Sequence, residues 1–249
     1  MASPMSASKI LEILRAEGAR VQEHDGWRTR NRNHVGTWGG VNGVMIHHTV
    51  TQGTKTTVDI CIKGYSGLPG PLCHGVIAKD GTVHLIGWGR ANHAGLGDDD
   101  VLQAVINERA LPTPNEANTD GNRHFYGFEC ENLGDGKDPW PAAQLEAIER
   151  VSAAICRHHG WNERSVIGHK EWQPGKVDPR GFTMSSMRER IKDRLAPVVT
   201  YTVRAGDTLW SIAASKLGDG NRWREIASLN KLADADEITP GQKLKLPKK

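Results

Sequence analysis

The 249-residue sequence predicts an α/β fold, a mixed central β-sheet flanked by helices, followed by a small α+β module of order strand–helix–helix–strand. Three observations carry this. Short β-branched runs alternate with segments of helical spacing through the first four-fifths of the chain, the pattern of sheet-and-helix layers. The net charge of +3 sits entirely in the last fifth: from Val199 onward there are nine basic and six acidic residues, and the preceding part is balanced. All 11 histidines precede residue 170. Two chemistries in one chain of this length read as two modules. With 37% hydrophobic and 24% charged residues, the composition excludes a disordered charged tail.

The elements follow in order. Residues 6–17 read as a helix, with Ile10, Leu11 and Leu14 on one face. The N-terminal MASPMSASKILEILRAEG has no basic segment before a long apolar core, so no secretory signal is read there. No stretch reaches the roughly 18 apolar residues of a membrane span. Residues 25–42 read as loop. VMIHHTV (Val44–Val50) reads as a strand with two histidines near its end, and a helix is read around Val58–Lys63. Cys73–Ala78 and Thr82–Trp88 flank Lys79-Asp80-Gly81, and Asp-Gly between apolar runs marks a hairpin.

A short helix is read near Val101–Arg109 and a strand at Phe125–Glu131. Pro141–His159 is the clearest helix: Leu145, Ile148, Val151 and Ile155 recur at helical spacing, and Gly160 stops it. Ser165–Gly168 reads as a strand ending at His169, and Met184–Leu195 as a helix with a basic face. The first module is set at 1–196 with its core at about 25–195. The linker is set at 197–200 and the second module at 201–249. There, Asp207 is the candidate N-cap of TLWSIAASKLG, and Trp210 reads as a core residue of a very small domain. Four scattered cysteines make no disulfide scaffold and read as reduced thiols.

Three places offer metal ligands. On a strand, neighbouring side chains point to opposite faces, so only one of His47 and His48 can line a given site. His169 ends another strand. Asp178 follows nine residues later, across Pro174 and Gly175, which let the chain turn back. His, His and a carboxylate with one open position are the donor set of catalytic zinc. Metal-assisted hydrolysis also needs a general base to take the proton of the attacking water.

VMIHHTV, YGFECEN and VIGHKEWQPGKVDP together resemble, in order and spacing, the zinc-dependent N-acetylmuramoyl-L-alanine amidases, the family that phage lysozyme-like amidases share with peptidoglycan recognition proteins. The resemblance covers roughly residues 25–195, and the GH-x₆-K-x-D spacing is its most specific part. It implies zinc (Zn2+) on His47, His169 and Asp178, with His48 on the other face. Lys176 is implied as an active-site residue that reaches the oxygen turning negative in the tetrahedral intermediate. Glu129 is implied as the base, with Glu131 as the alternative. Related phage enzymes carry a Tyr in the hairpin just before a His. This chain has Cys73-His74, so either that role is absent or His74 fills it. His93, in RANHAG, stands where the family has a substrate-facing His.

YTVRAGDTLWSIA and the closing PGQKLKLP resemble LysM, a wall-binding module for N-acetylglucosamine-containing glycans. The reading is therefore a peptidoglycan hydrolase of the phage or prophage endolysin kind. It would cut the amide between N-acetylmuramic acid and the L-alanine of the stem peptide. The expected chain is monomeric, has no nucleic-acid or membrane partner, and is made in the host bacterial cytoplasm before acting on the wall. The competing readings are a non-catalytic peptidoglycan-binding protein and a zinc endopeptidase acting within the stem peptide.

Overall fold

The computed structural model describes residues 2–197 and 199–247. Val198, within the expected linker, and Lys248 and Lys249, at the end of the expected second module, lie outside the described residues. The chain forms two compact units, Met1–Leu195 and Ala196–Lys249.

The first unit is built on a six-stranded mixed sheet. Its strands are β1 (Val21–Glu23), β2 (Gly43–His48), β3 (Gly75–Ile77), β4 (Val83–Leu85), β5 (Phe125–Cys130) and β6 (Val166–Gly168), in the spatial order β1-β4-β3-β5-β2-β6. Only the β3–β4 hairpin is antiparallel, and it turns at Lys79-Asp80-Gly81. β2 lies inside the sheet next to the edge strand β6, runs parallel to both neighbours and is buried along its whole length. Such a strand reads as a continuous apolar run, as VMI does here. β1 was not legible, because three residues (VQE) are too few to show alternation.

Strand parity assigns the faces. Val44, Ile46, Tyr126, Phe128 and Val166 pack with α1 (Ala7–Ala16), α4 (Ala142–His159) and α5 (Met184–Leu195). Met45, Phe125 and Ile167 pack on the other side with α3 (Asp99–Ile106) and Trp172. α1 starts on Ser6, whose hydroxyl accepts from the Lys9 N–H, and it buries Ile10, Leu11 and Leu14. α4 ends on Gly160 in the left-handed conformation, where its N–H caps the Cys156 carbonyl. α2 (Thr54–Lys63) begins four residues before the predicted start. The cause lies in Glu131, whose carboxylate accepts from the Gly53 N–H (2.9 Å) and the Thr54 hydroxyl (2.7 Å). An acidic group beside the first turn is favoured by the positive end of the helix dipole.

Asp98 organises the loop that follows α3. One carboxylate oxygen caps α3 through the N–H groups of Asp100 (2.8 Å) and Val101 (3.4 Å). The other accepts from Asn115 (2.7 Å) and Glu116 (3.3 Å). Asp98→Ala removes a cap and leaves four backbone N–H groups without their acceptor, so a loss of about 2–4 kcal/mol is expected in urea denaturation.

In the second unit, β7 (Thr200–Thr202) pairs antiparallel with β8 (Lys243–Lys245), and α6 (Leu209–Leu217) and α7 (Trp223–Leu229) lie between them in sequence. Val203, Leu209, Ile212, Ala213, Ile226 and Leu244 form its core. Three readings are corrected here. Val199 and Thr200, expected in the linker, already belong to this unit: Thr200 opposite Lys245, and the Val199 carbonyl accepting from Leu246 N–H at 2.8 Å. Thr208, not Asp207, caps α6 in a reciprocal pair with Ser211, while Asp207 accepts from the Tyr201 hydroxyl and the Arg204 N–H. Trp210, expected in the core, is 58% exposed at the edge of the buried Leu209, Ile212 and Ala213 stripe, with its ring over Gly220.

No helix among the described residues is long and apolar enough to cross a membrane. All four cysteines are buried and unpaired.

Candidate metal centre

The sheet brings three chain segments to one point. β2 and β5 pair in parallel with His47 directly opposite Glu129, and both residues share the face of Met45 and Phe125. β6 pairs with β2 so that Gly168 lies opposite Ile46, and His169 therefore emerges beside His47. All three groups sit at carboxyl ends of parallel strands, the usual place for sites on such sheets.

Asp178 is delivered by the chain after β6. A 3₁₀ turn at His169–Glu171 is followed by a reversal through Gly175, whose φ of 82° suits glycine. The Lys170 N–H then donates to the Asp178 carbonyl at 2.7 Å, which closes the loop. Trp172, fully buried, anchors the segment by donating its indole N–H to the Ala94 carbonyl (3.0 Å) and packing edge-on against Phe125.

The Nδ1 atoms of His47 and His169 are 3.1 Å apart, and each is 3.1 Å from Asp178 Oδ2. Four-coordinate zinc with bonds of about 2.0–2.1 Å implies ligand atoms about 3.3 Å from one another. The three donors fit that requirement, and among the described residues they form the one His/Cys/Asp/Glu group so arranged. Burial pulls the His47 pKa down to about 4, with Asp178 opposing. The imidazole is thus neutral at pH 7, the form that ligates a metal. Burial works to raise Asp178, but hydrogen bonds and charge from His169 and His47 outweigh it and hold the carboxyl well below the usual range.

Glu129 lines the same cavity of about 440 Å³. Its Oε1 is 4.0 Å from His47 Nδ1, and its Oε2 is buried without a hydrogen-bond partner. Burial, reinforced by the charge of Asp178 and opposed by Lys176, pushes its pKa up to about 8. Lys176 is exposed on the Asp178 loop and also lines the cavity. Tyr65, Leu68, Val50 and Val177 give the mouth an exposed apolar rim.

Other candidates fall elsewhere. Glu131, the alternative base, is buried as the cap of α2, as described above. His48 points to the opposite strand face, where its Nδ1 accepts from the Arg180 N–H at 3.1 Å. His74 is not brought to the cavity. It is fully buried, its Nδ1 accepts from the Gly127 N–H (2.9 Å), its Nε2 donates to the Gly89 carbonyl (2.8 Å), and its ring stacks on Trp38. His93 reaches the cavity, but its Nδ1 faces His47 Nε2 at 3.2 Å. Gln173 has its amide oxygen 3.3 Å from His169 Nε2. Sequence reasoning missed it, because a glutamine four residues after a histidine has no signal until the 3₁₀ turn brings the two together.

A family model described as N-acetylmuramoyl-L-alanine amidase matches residues 37–181, and a LysM domain model matches residues 201–247. The uncharacterized protein YqbP of Bacillus subtilis (strain 168) is 35% identical over 82 residues, 28% of this chain and 37% of that protein. The chain spans about a third of the length of the curated relatives it matches. Among solved structures, the endolysin amidase LysCS from Clostridium intestinale URNW superposes with a TM-score of 0.47 at 17% identity, covering 69% of this chain and 95% of that one. The catalytic domain of XlyA gives a TM-score of 0.48 at 17% identity, covering 70% and 99%. The amidase model spans more than half of the residues, including all three converging donors, and the chain therefore belongs to the N-acetylmuramoyl-L-alanine amidase family and carries a LysM domain after it.

Proposed function

We propose that the protein is a zinc-dependent peptidoglycan amidase that cuts the bond between the lactyl group of N-acetylmuramic acid and the L-alanine of the stem peptide. The observation that carries this is the convergence of three metal-donor atoms beside a buried carboxylate oxygen that has no partner. A hydrolytic site needs both a metal position and a proton acceptor, and the cavity holds them together.

His47, His169 and Asp178 would hold the ion. When bound, zinc supplies Lewis-acid polarisation of the scissile carbonyl and a more acidic attacking water. Glu129 accepts the proton of that water and returns it to the leaving alanine nitrogen. Its buried oxygen has no hydrogen-bond partner, so the carboxylate is uncommitted and free to hold that proton between the two steps. Lys176, across the cavity on a turn pinned by its N–H to the Gln173 carbonyl (3.2 Å), places a positive charge where the carbonyl oxygen becomes negative. The apolar rim suits the methyl groups and sugar faces of a muramoyl peptide.

The second unit would hold the enzyme on the wall through N-acetylglucosamine-containing glycan, helped by its excess of positive charge. The context that fits is an endolysin, made in a bacterial cytoplasm and acting on the wall as a monomer.

Mass spectrometry of purified walls after digestion tests the bond. The expected products are stem peptides with a free N-terminal alanine and glycans whose muramic lactyl group is a free acid. New amino groups inside the stem peptide would instead identify an endopeptidase, and intact walls a binding protein. Residues 1–197 alone are expected to match the full chain on soluble muropeptide and to fall behind it on insoluble walls, where tethering raises the local concentration of bonds. Chitin fragments should compete for wall binding by the second unit, and that competition should persist at high salt.

A further inference from the structure

Each ligand histidine presents Nδ1 to the metal position, and each has its other ring nitrogen held by a second side chain. His47 Nε2 lies 3.2 Å from His93 Nδ1, and His93 Nε2 lies 3.2 Å from the Phe125 carbonyl oxygen. A carbonyl only accepts, so the neutral His93 ring carries its proton on Nε2. Its Nδ1 is then an acceptor, and His47 must carry its own proton on Nε2. The lone pair of His47 is thereby left on Nδ1, facing Asp178. His169 repeats the arrangement with a different partner, its Nε2 donating to the Gln173 amide oxygen at 3.3 Å.

The His93 side of this chain is built into the fold. The N–H groups of His93 and Ala94 both donate to Asn122 Oδ1, at 2.8 and 2.9 Å, which fixes the backbone from which the ring projects. The ring lies over Gly127 of β5. A Cβ at that position would fall 2.3 Å from His93 Nδ1, so the strand keeps a glycine where the imidazole must pass. His93 is 8% exposed and packs edge-on against His47 with ring centroids 5.3 Å apart.

We propose that His93 and Gln173 are positioning residues that lock His47 and His169 in the Nε2–H tautomer and so aim both Nδ1 lone pairs at one point. The proposal rests on the metal reading of the preceding section. It replaces the expected contact of His93 with substrate by a contact with a ligand. Partners of this kind commonly change metal affinity by 10–100-fold when removed.

Zinc affinity of the full chain, measured by competition with a chromophoric chelator, tests it. His93→Phe keeps the ring volume and removes the acceptor, and Gln173→Leu does the same at the half-buried partner. Each is expected to weaken zinc binding about 10–100-fold. His93→Asn and Gln173→Glu return an acceptor to the same place and are expected to restore wild-type affinity, which a purely space-filling role would not require. Nitrogen-15 NMR of the zinc-loaded wild type supplies a check that no variant has to fold for. The ring N–H protons of His47, His93 and His169 should all be on Nε2. Unchanged affinity in both His93→Phe and Gln173→Leu, or a proton on Nδ1 of either ligand, overturns the proposal while leaving the metal site intact. A wild type that binds no zinc overturns the metal reading, and this one with it.

Discussion

Asp178→Ala is expected to abolish both zinc retention and wall lysis. Asp178 is the anionic member of the donor set, and it sits 3.1 Å from both histidine Nδ1 atoms. Without it, two buried imidazoles face a dication with no compensating charge. Metal analysis of the purified protein and turbidity of a cell-wall suspension read the two losses independently. Chelation of the wild type should produce the same inactive state, and added zinc should reverse it. Zinc should also raise the melting temperature of the wild type but not that of Asp178→Ala, because a ligand that binds only the folded state stabilises it. His48→Ala is the matched control. Its ring is on the opposite face of β2, so zinc content should stay at the wild-type level. Full lysis by rigorously metal-free protein would remove the mechanism.

Glu129→Gln is expected to keep zinc and lose turnover, with kcat reduced by about 10²–10⁴-fold and little change in KM. The isosteric amide preserves the cavity but cannot take a proton. The same substitution has a second consequence, in the metal-free protein. Burial raises the folded pKa of Glu129 to about 8 from an ordinary value of 4.5. Between those values the folded state keeps a proton that the unfolded state has released, so wild-type stability falls as the pH rises through that window. Glu129→Gln removes this contribution. Denaturant midpoints of metal-free protein at pH 5 and pH 8 should therefore differ less in the variant than in the wild type. A variant with near-normal turnover would show that the proton passes without Glu129.

The sequence by itself settled whatever is local to one segment. The period of Leu145, Ile148, Val151 and Ile155 defines a helix face, and glycine at position 160 ends it, whatever else the chain does. The alternation of a strand separates His47 from His48, and Pro174 with Gly175 permits a turn back toward His169. The LysM pattern is likewise contained in a short run, and a domain model matches it at residues 201–247.

The tertiary structure decided which groups meet. His47 and His169 are 122 residues apart in the chain, and they become neighbours only because β6 pairs in parallel with β2 in one register. A shift of one residue would turn His47 to the other face. Register also separates two glutamates that the sequence left as alternatives. Glu129 lies opposite His47, whereas Glu131, past the end of β5, turns to the Gly53 N–H and the Thr54 hydroxyl at the start of α2. His74 and His93 look alike in sequence, each a histidine near a glycine. One is held by the backbone of Gly127 and Gly89, and the other faces the ring of His47. Thr208 rather than Asp207 caps α6 because the cap must occupy the extended residue just before the first turn, and Asp207 is already committed to Tyr201 and Arg204. In each case the residue type fixes what a side chain can donate or accept. The partner is fixed by strands, turns and helix ends that are distant in sequence, and local periodicity carries no record of them.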